Sequence, residues 1–384
     1  MNRFGPLGLL LTAGLLAAAP PGLHREGALW VETTTGSESM PQVEQVRVVA
    51  EGNVTVHGGS TGDVAYVVTR RVRARSEAEA RDALQEAGVT LTRQGRGVRL
   101  VVNDATGPVD LQVTMPRTVA KVIVQTAVGN IEVSEINGSV AAQTGGGNIE
   151  LKSIKGGADV NSQGGNLQLG DVGGSARAVS AGGEIAAGVI GGDAQLETAG
   201  GNITVQKIGG AARAITAGGS IRIAQVGGAV AANTGGGTID IGKAGGVVTI
   251  HNEGGGPIEV GSSGGARCEN ASGAIKVGSW NGTIHLATAS GSVVAQILGD
   301  KLMGDSSVST ASGDITVYIP SNVGVTIRAQ NDGASRAQGI VSEFQGVQVR
   351  MNGGTAFAAG AINGGGPILR LEGTGGTIWI KKKQ

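Results

Sequence analysis

The chain has 384 residues, of which 71 are glycine, eight are aromatic and one is cysteine, and its 30 basic residues balance 30 acidic ones. Glycine is not at every third position and prolines number only nine, which excludes collagen, while a hydrophobic share of 40% excludes a disordered tail. Zero net charge argues against a general nucleic-acid binder, and a single cysteine rules out an internal disulfide or a cysteine-rich metal site.

Residues 1–22 read as an export signal. Arg3 precedes a run of mostly Leu, Ala and Gly from Leu7 to Ala19. At 1.5 Å per residue that run reaches roughly 20 Å, short of a bilayer. Ala17-Ala18-Ala19 offers a small-residue cleavage site, weakened by Pro20 and Pro21 directly after it. The mature chain is therefore expected to carry no transmembrane span and to be exported, to the periplasm, the cell surface or the exterior.

Residues 23–128 are expected to form a strand-rich segment with one helix that caps the glycine-rich repeat beginning at Gly129. Residues 43–50, 53–57, 64–73, 90–93, 98–102, 109–115 and 120–124 have strand patterns. Ser76-Glu77-Ala78-Glu79 is a capping box that opens a helix ending at Gly88. Arg70, Arg71, Arg73 and Arg75 read as a basic patch on a solvated strand face, with contact to anionic lipid or polysaccharide as the alternative.

Residues 129–300 hold 42 of the 71 glycines and repeat with a period of 18. Ile131, Ile149, Leu167, Ile185, Ile203, Ile221 and Ile239 stand 18 apart, Ile258 is one residue late, and Ile275 and Val293 return to phase. A second apolar file, two residues on, runs Val133, Leu151, Leu169 and so on to Ala295, and a third runs Ile136, Ile154, Val172 and so on to Trp280 and Leu298. Nine residues out of step lies a smaller set: Val140, Ala158, Ala176, Ala194, Ala212, Val230, Val248, Ala266 and Ile284. Alternation of period two makes each half a short strand with one buried face, and two strands joined by glycine corners make a coil. The fold expected is all-β, a parallel β-solenoid (β-helix) of about ten 18-residue two-strand coils, right-handed by the crossover rule. The glycines are expected to supply positive φ at the corners. Thr126, Thr144, Ser162, Ser180, Thr198, Thr216, Thr234, Asn252, Asn270 and Thr288 form a further file, read as a polar ladder bonded to backbone. Residues 301–384 are expected to supply closing coils and a C-terminal cap, after a four-residue insertion between Gly299 and Ser307.

The stretches Val113-Thr114-Met115-Pro116, Val128-Gly129-Asn130-Ile131-Glu132-Val133 and Ser312-Gly313-Asp314-Ile315-Thr316-Val317-Tyr318-Ile319-Pro320, with the closing Gly364-Gly365-Gly366 and Gly376-Thr377-Ile378, occur in an order that resembles the bacterial adhesin family whose domain is catalogued as DUF4097. That resemblance covers most of residues 43–384. It implies a β-solenoid, an envelope or exported location and no catalytic activity, and it brings no functional residues to carry over.

No catalytic, cofactor-binding or metal-binding residues are nominated. The calcium-binding nonapeptide needs glycine and aspartate where this repeat has Ile149 and Leu151. His24, His57, His251 and His285 lack metal spacing, and Cys268 falls in an inward file. Glu132 and Glu150 would be outward neighbours about 5 Å apart, close to a retaining glycosidase pair. The favoured reading is a non-enzymatic adhesin-like binding or scaffold protein of the cell envelope, its ligand a protein, glycan or lipid surface. The alternatives are a carbohydrate-active β-helix enzyme and a self-assembling structural element.

Overall fold

The computed structural model describes residues 22–40, 42–85, 88–103, 109–297, 304–333 and 339–383. The expected export signal lies outside them, apart from Gly22. The chain winds into a parallel β-solenoid with one strand of each coil in sheet A and the other in sheet B. Register confirms the period directly: Ile131 pairs with Ile149 and Ile149 with Leu167 in sheet A, and Val140 with Ala158 and Ala158 with Ala176 in sheet B. The late residue is real too, since Ile239 pairs with Ile258 and Ile258 with Ile275. His285 pairs with Ser307 and Val293 with Ile315, so both sheets register the four-residue insertion. The third file differs at its end: the register slips after Val277, and Trp280 pairs with Ile297 rather than Leu298, which lies outside the described residues.

The core is the space between the sheets. Ile, Leu and Val of sheet A meet the smaller Ala and Val of sheet B, and these side chains are almost wholly buried. Large against small lets the layers interdigitate in a thin rod.

Parallel stacking runs beyond the 18-residue repeats, through fifteen two-strand layers among the described residues. At both ends the spatial order departs from the chain order. Gln45–Ala50 lies between Gly97–Asn103 and Lys121–Thr126 in sheet B, and Gly52–Gly59 lies between Val109–Pro116 and Ile131–Ile136 in sheet A. The last two strands, Ile368–Gly373 and Ile378–Lys382, are likewise inserted. The first sits between Ser306–Ser312 and Val325–Asp332, the second between Ile315–Ile319 and Ile340–Ser342. Antiparallel strands close the stack: Asp63–Val72 and Leu29–Ser39 on sheet A, Gly88–Gln94 at one end of sheet B, and Thr355–Ile362 with Val347–Asn352 at the other.

The helix spans Glu77–Gln85 and packs Ala80 and Leu84 against Val72 in a satellite cluster with Leu23 and Trp30. Ser76 Oγ accepts the Glu79 N–H at 3.2 Å, but the Glu79 carboxylate reaches back to the N–H of Arg75, one residue before the usual capping-box partner.

The glycines meet the expectation only in part: Gly129, Gly273 and Gly291 have φ of 135°, 126° and 150°, but the regular corners between them do not. Gly147, Gly165, Gly183, Gly201, Gly219 and Gly237 have φ outside the left-handed region. A Cβ on any of them would stand 1.9–2.1 Å from the carbonyl oxygen of the glycine one coil before. These corners need glycine because successive backbones touch there, with no room for a methyl group. A second file, Gly191, Gly209, Gly227 and Gly245, is crowded in the same way at 2.1–2.2 Å.

The polar file lies beside the first glycine file and ties coils together. Thr216 Oγ1 donates to Gly201 O at 2.9 Å in the coil before and accepts Gly219 N–H at 3.0 Å in its own corner. Thr144, Ser162, Ser180, Thr198 and Thr234 donate in the same pattern. A second ladder, not anticipated, places the side-chain oxygens of Asn130, Asn148, Asn166 and Asn202 on the backbone N–H one coil onward, at 2.8–2.9 Å.

Candidate binding face

Three groups singled out in the sequence are disposed as follows. Glu132 and Glu150 are in register on the outer face of sheet A, but the Lys152 ammonium stands 2.9 Å from both. Its hydrogen bonds to Glu150 and then Glu132 hold it above the usual lysine range. The three side chains are partly exposed on the outer face of the sheet. The four arginines do not form one patch, because strand alternation sends Arg70 and Val72 inward and Arg71 and Arg73 outward. Arg70 lies buried 3.5 Å from Glu32, and Arg71 pairs with Asp110. Cys268 is buried between Ile250 and Leu286, and burial pushes its thiol up to about 12.

The histidines stay apart. His57 meets Ser134 at 3.1 Å, His285 meets Ser307 at 3.0 Å, and His251 lies 3.7 Å from Glu253 and 3.4 Å from Glu269. The Glu26 carboxylate, followed by the Gly22 carbonyl, raises the His24 imidazole above its ordinary value. Among the described residues no three His, Cys, Asp or Glu side chains gather as a metal ion would require.

The outer face of sheet B and the corner at its strand ends carry depressions towards both ends of the stack. One of about 510 Å³ is lined by His251, Glu253, Glu269 and Asn270 among others. A second of about 470 Å³ continues it through the shared Thr288 towards Asp332 and Glu372. At the opposite end a depression of about 330 Å³ is lined by Arg47, Arg96 and Arg99 with Glu44.

One outward file of this face is basic. In spatial order it reads Arg99, Arg47, Ile123, Ala141, Asp159, Arg177, Gln195, Arg213, Ala231, Thr249, Arg267, His285, Ser307, Arg370 and Arg328. Seven of fifteen positions are arginine in a chain with 30 basic residues among 384, so the file is strongly enriched. Arg177 lies 3.6 Å from Asp159, Arg213 4.0 Å from Glu197, Arg267 2.9 Å from Glu269 and Arg370 3.7 Å from Glu372. The neighbouring outward file includes Gln125, Gln143, Asn161 and Asn233, and neither file contains a Phe, Tyr or Trp. In the sequence only the outward pair Glu132 and Glu150 of sheet A stands out, and this file does not. The same 18-residue period, applied at Asp159, Arg177, Gln195 and Arg213, would have found it.

Among the described residues no helix is long and apolar enough to cross a membrane. No family model matches the chain, and no curated protein matches it. Solved structures do resemble it. A "putative adhesin" from Bacteroides fragilis NCTC 9343 shares 12% identity over 92% of this chain and 97% of that one, with a TM-score of 0.27. A "putative lipid binding protein" from Parabacteroides distasonis ATCC 8503 shares 10% over 92% and 97%, with a TM-score of 0.26. A "putative adhesin" from the same organism shares 13% over 74% and 96%, with a TM-score of 0.25. Similarity of this degree assigns neither a ligand nor a role.

Proposed function

We propose that this is an exported, non-enzymatic adhesin-like binding or scaffold protein of the cell envelope, and that it binds through the outer face of sheet B. The observation that carries this reading is the long, continuous face of parallel strands, with depressions towards both of its ends. The chemistry of the chain is otherwise spent on corners and aliphatic files. The one paired-carboxylate arrangement suggested by the sequence, Glu132 with Glu150, is bridged by a lysine on an open surface. The proposed domain division keeps residues 129–300 as the regular solenoid, with residues 23–128 and 301–384 as its two end regions.

The test is a binding screen of the purified protein against envelope glycans, lipids and proteins, beside cell fractionation. Saturable binding is expected. It should fall when Asn233→Trp fills the sheet B face and stay unchanged with Thr204→Trp on sheet A. Binding to none of the components, or retention of the tagged chain in the cytoplasm, would overturn the proposal. Turnover of any glycan that is lost in Glu132→Gln or Glu150→Gln would make it an enzyme instead.

A further inference from the structure

We infer that the arginine file on sheet B is a track for a linear anionic polysaccharide, bearing carboxylate or sulfate groups; this rests on the proposed binding role and names its ligand. Like charges are placed unfavourably along the file. Arg47 and Arg99 are directly paired on neighbouring parallel strands, and so are Arg328 and Arg370. Like charges opposite one another destabilise a sheet, so such pairs ask for an anion between them. They also sit at the two ends of the same face, each with one member, Arg47 or Arg370, in an inserted strand. Arg99 and Arg328 have no side-chain partner among the described residues, and Arg47 has only the amide oxygen of Gln125 at 2.7 Å.

Spacing favours the same ligand. Layers in the stack repeat about every 4.8 Å, comparable to one sugar unit, so guanidinium groups in register can meet charges recurring along an extended chain. A planar guanidinium matches a carboxylate or sulfate with two parallel hydrogen bonds. The amides of Gln143, Asn161 and Asn233 in the next file suit sugar hydroxyls. A nucleic acid fits less well. Single strands are held by stacked bases on aromatic platforms, and neither file has a Phe, Tyr or Trp.

The experiment measures binding of the full chain to polygalacturonate, dextran sulfate and uncharged dextran of matched length, with a single-stranded oligonucleotide and phosphatidylglycerol vesicles as competing probes. One of the two anionic polysaccharides is expected to bind, with affinity falling steeply as salt rises, while dextran does not. Arg177→Gln with Arg213→Gln should weaken binding tenfold or more. Lys207→Gln with Lys243→Gln, on the sheet A side, should leave it unchanged. Thermal melts separate binding loss from misfolding: Arg47→Gln should lower affinity while leaving the melt equal or higher. Equal binding of dextran, indifference to the arginine substitutions, or tighter binding of the oligonucleotide or vesicles would overturn the inference. Binding of another envelope component without these arginines would overturn the inference and leave the binding role standing. No binding at all would end both.

Discussion

A methyl group placed on Gly183 would meet the Gly165 carbonyl oxygen at 2.0 Å, whereas one on Gly182 would meet nothing within 4 Å. Two adjacent glycines in one corner therefore carry opposite expectations. Gly183→Ala must push two backbones apart and should cost on the order of 3 kcal/mol, the upper range for overpacking. Gly182→Ala meets open space and a φ that alanine accepts, and should be neutral or stabilise by up to about 1 kcal/mol. Urea denaturation of the two variants decides this, and equal effects would refute the contact argument. Cys268 gives a second expectation. Its thiol, at about 12 in the fold against 9.0 unperturbed, stays protonated after an unfolded chain has begun to ionise. The unfolded state then holds fewer protons than the native state, so stability falls as pH rises from about 9 to 12. The stability–pH slope of the parent minus that of Cys268→Val should show this loss, at most about 1.4 kcal/mol per pH unit. A thiol reagent at pH 8 should label Cys268 only on unfolding.

At the scale of elements, position in the chain and position in the stack disagree. The last strands of a chain usually fray first. Here Ile368–Gly373 and Ile378–Lys382 are hydrogen-bonded on both sides, while Val347–Asn352 forms an open edge with Val349 and Met351 exposed. Amide exchange is expected to be slow at Leu369, Leu371 and Ile380 and fast along the edge strand, and the reverse order would contradict the inserted register. This insertion was not legible in the sequence, because periodicity fixes which residues face inward but not which layer a strand joins. The coils from Ile131 to Val293 were legible almost residue by residue, since each layer there stacks on the previous one in chain order. Leu29–Ser39 was missed for another reason. Its Thr-Thr-Thr-Gly-Ser-Glu-Ser run lacks alternating apolar residues, and the strand exists through antiparallel pairing with Asp63–Val72. The glycine corners were located correctly but explained only in part, because sequence shows where glycine recurs and not whether φ, as at Gly129, Gly273 and Gly291, or contact, as at Gly183, requires it. The arginine file was readable at the same period, but nothing in a single sequence marks an outward file as a ligand site.

At the scale of the whole molecule, each layer touches only its two neighbours, so stability is close to a sum of layers and interfaces. What must be preserved is the phase between the two sheets. Deleting residues 185–202 removes one full coil and joins Glu184 to Ile203, so Ile203 stacks on Leu167 where Ile185 stood, and every later strand keeps its sheet. This variant is expected to fold, with an unchanged β-sheet spectrum and a melting temperature lowered by only a few degrees. Deleting residues 185–193 removes half a coil. Ala194 then falls in sheet A and Ile203 in sheet B, and every strand downstream moves to the opposite wall. Large residues would face positions built for alanine, and the hydroxyl file would leave the corner where Thr198 and Thr216 tie one coil to the next. The shorter deletion should therefore be the more damaging one, with no cooperative thermal transition. If the nine-residue variant melts as cooperatively as the eighteen-residue one, the division of labour between a large-residue wall and a small-residue wall is not what holds the rod in register.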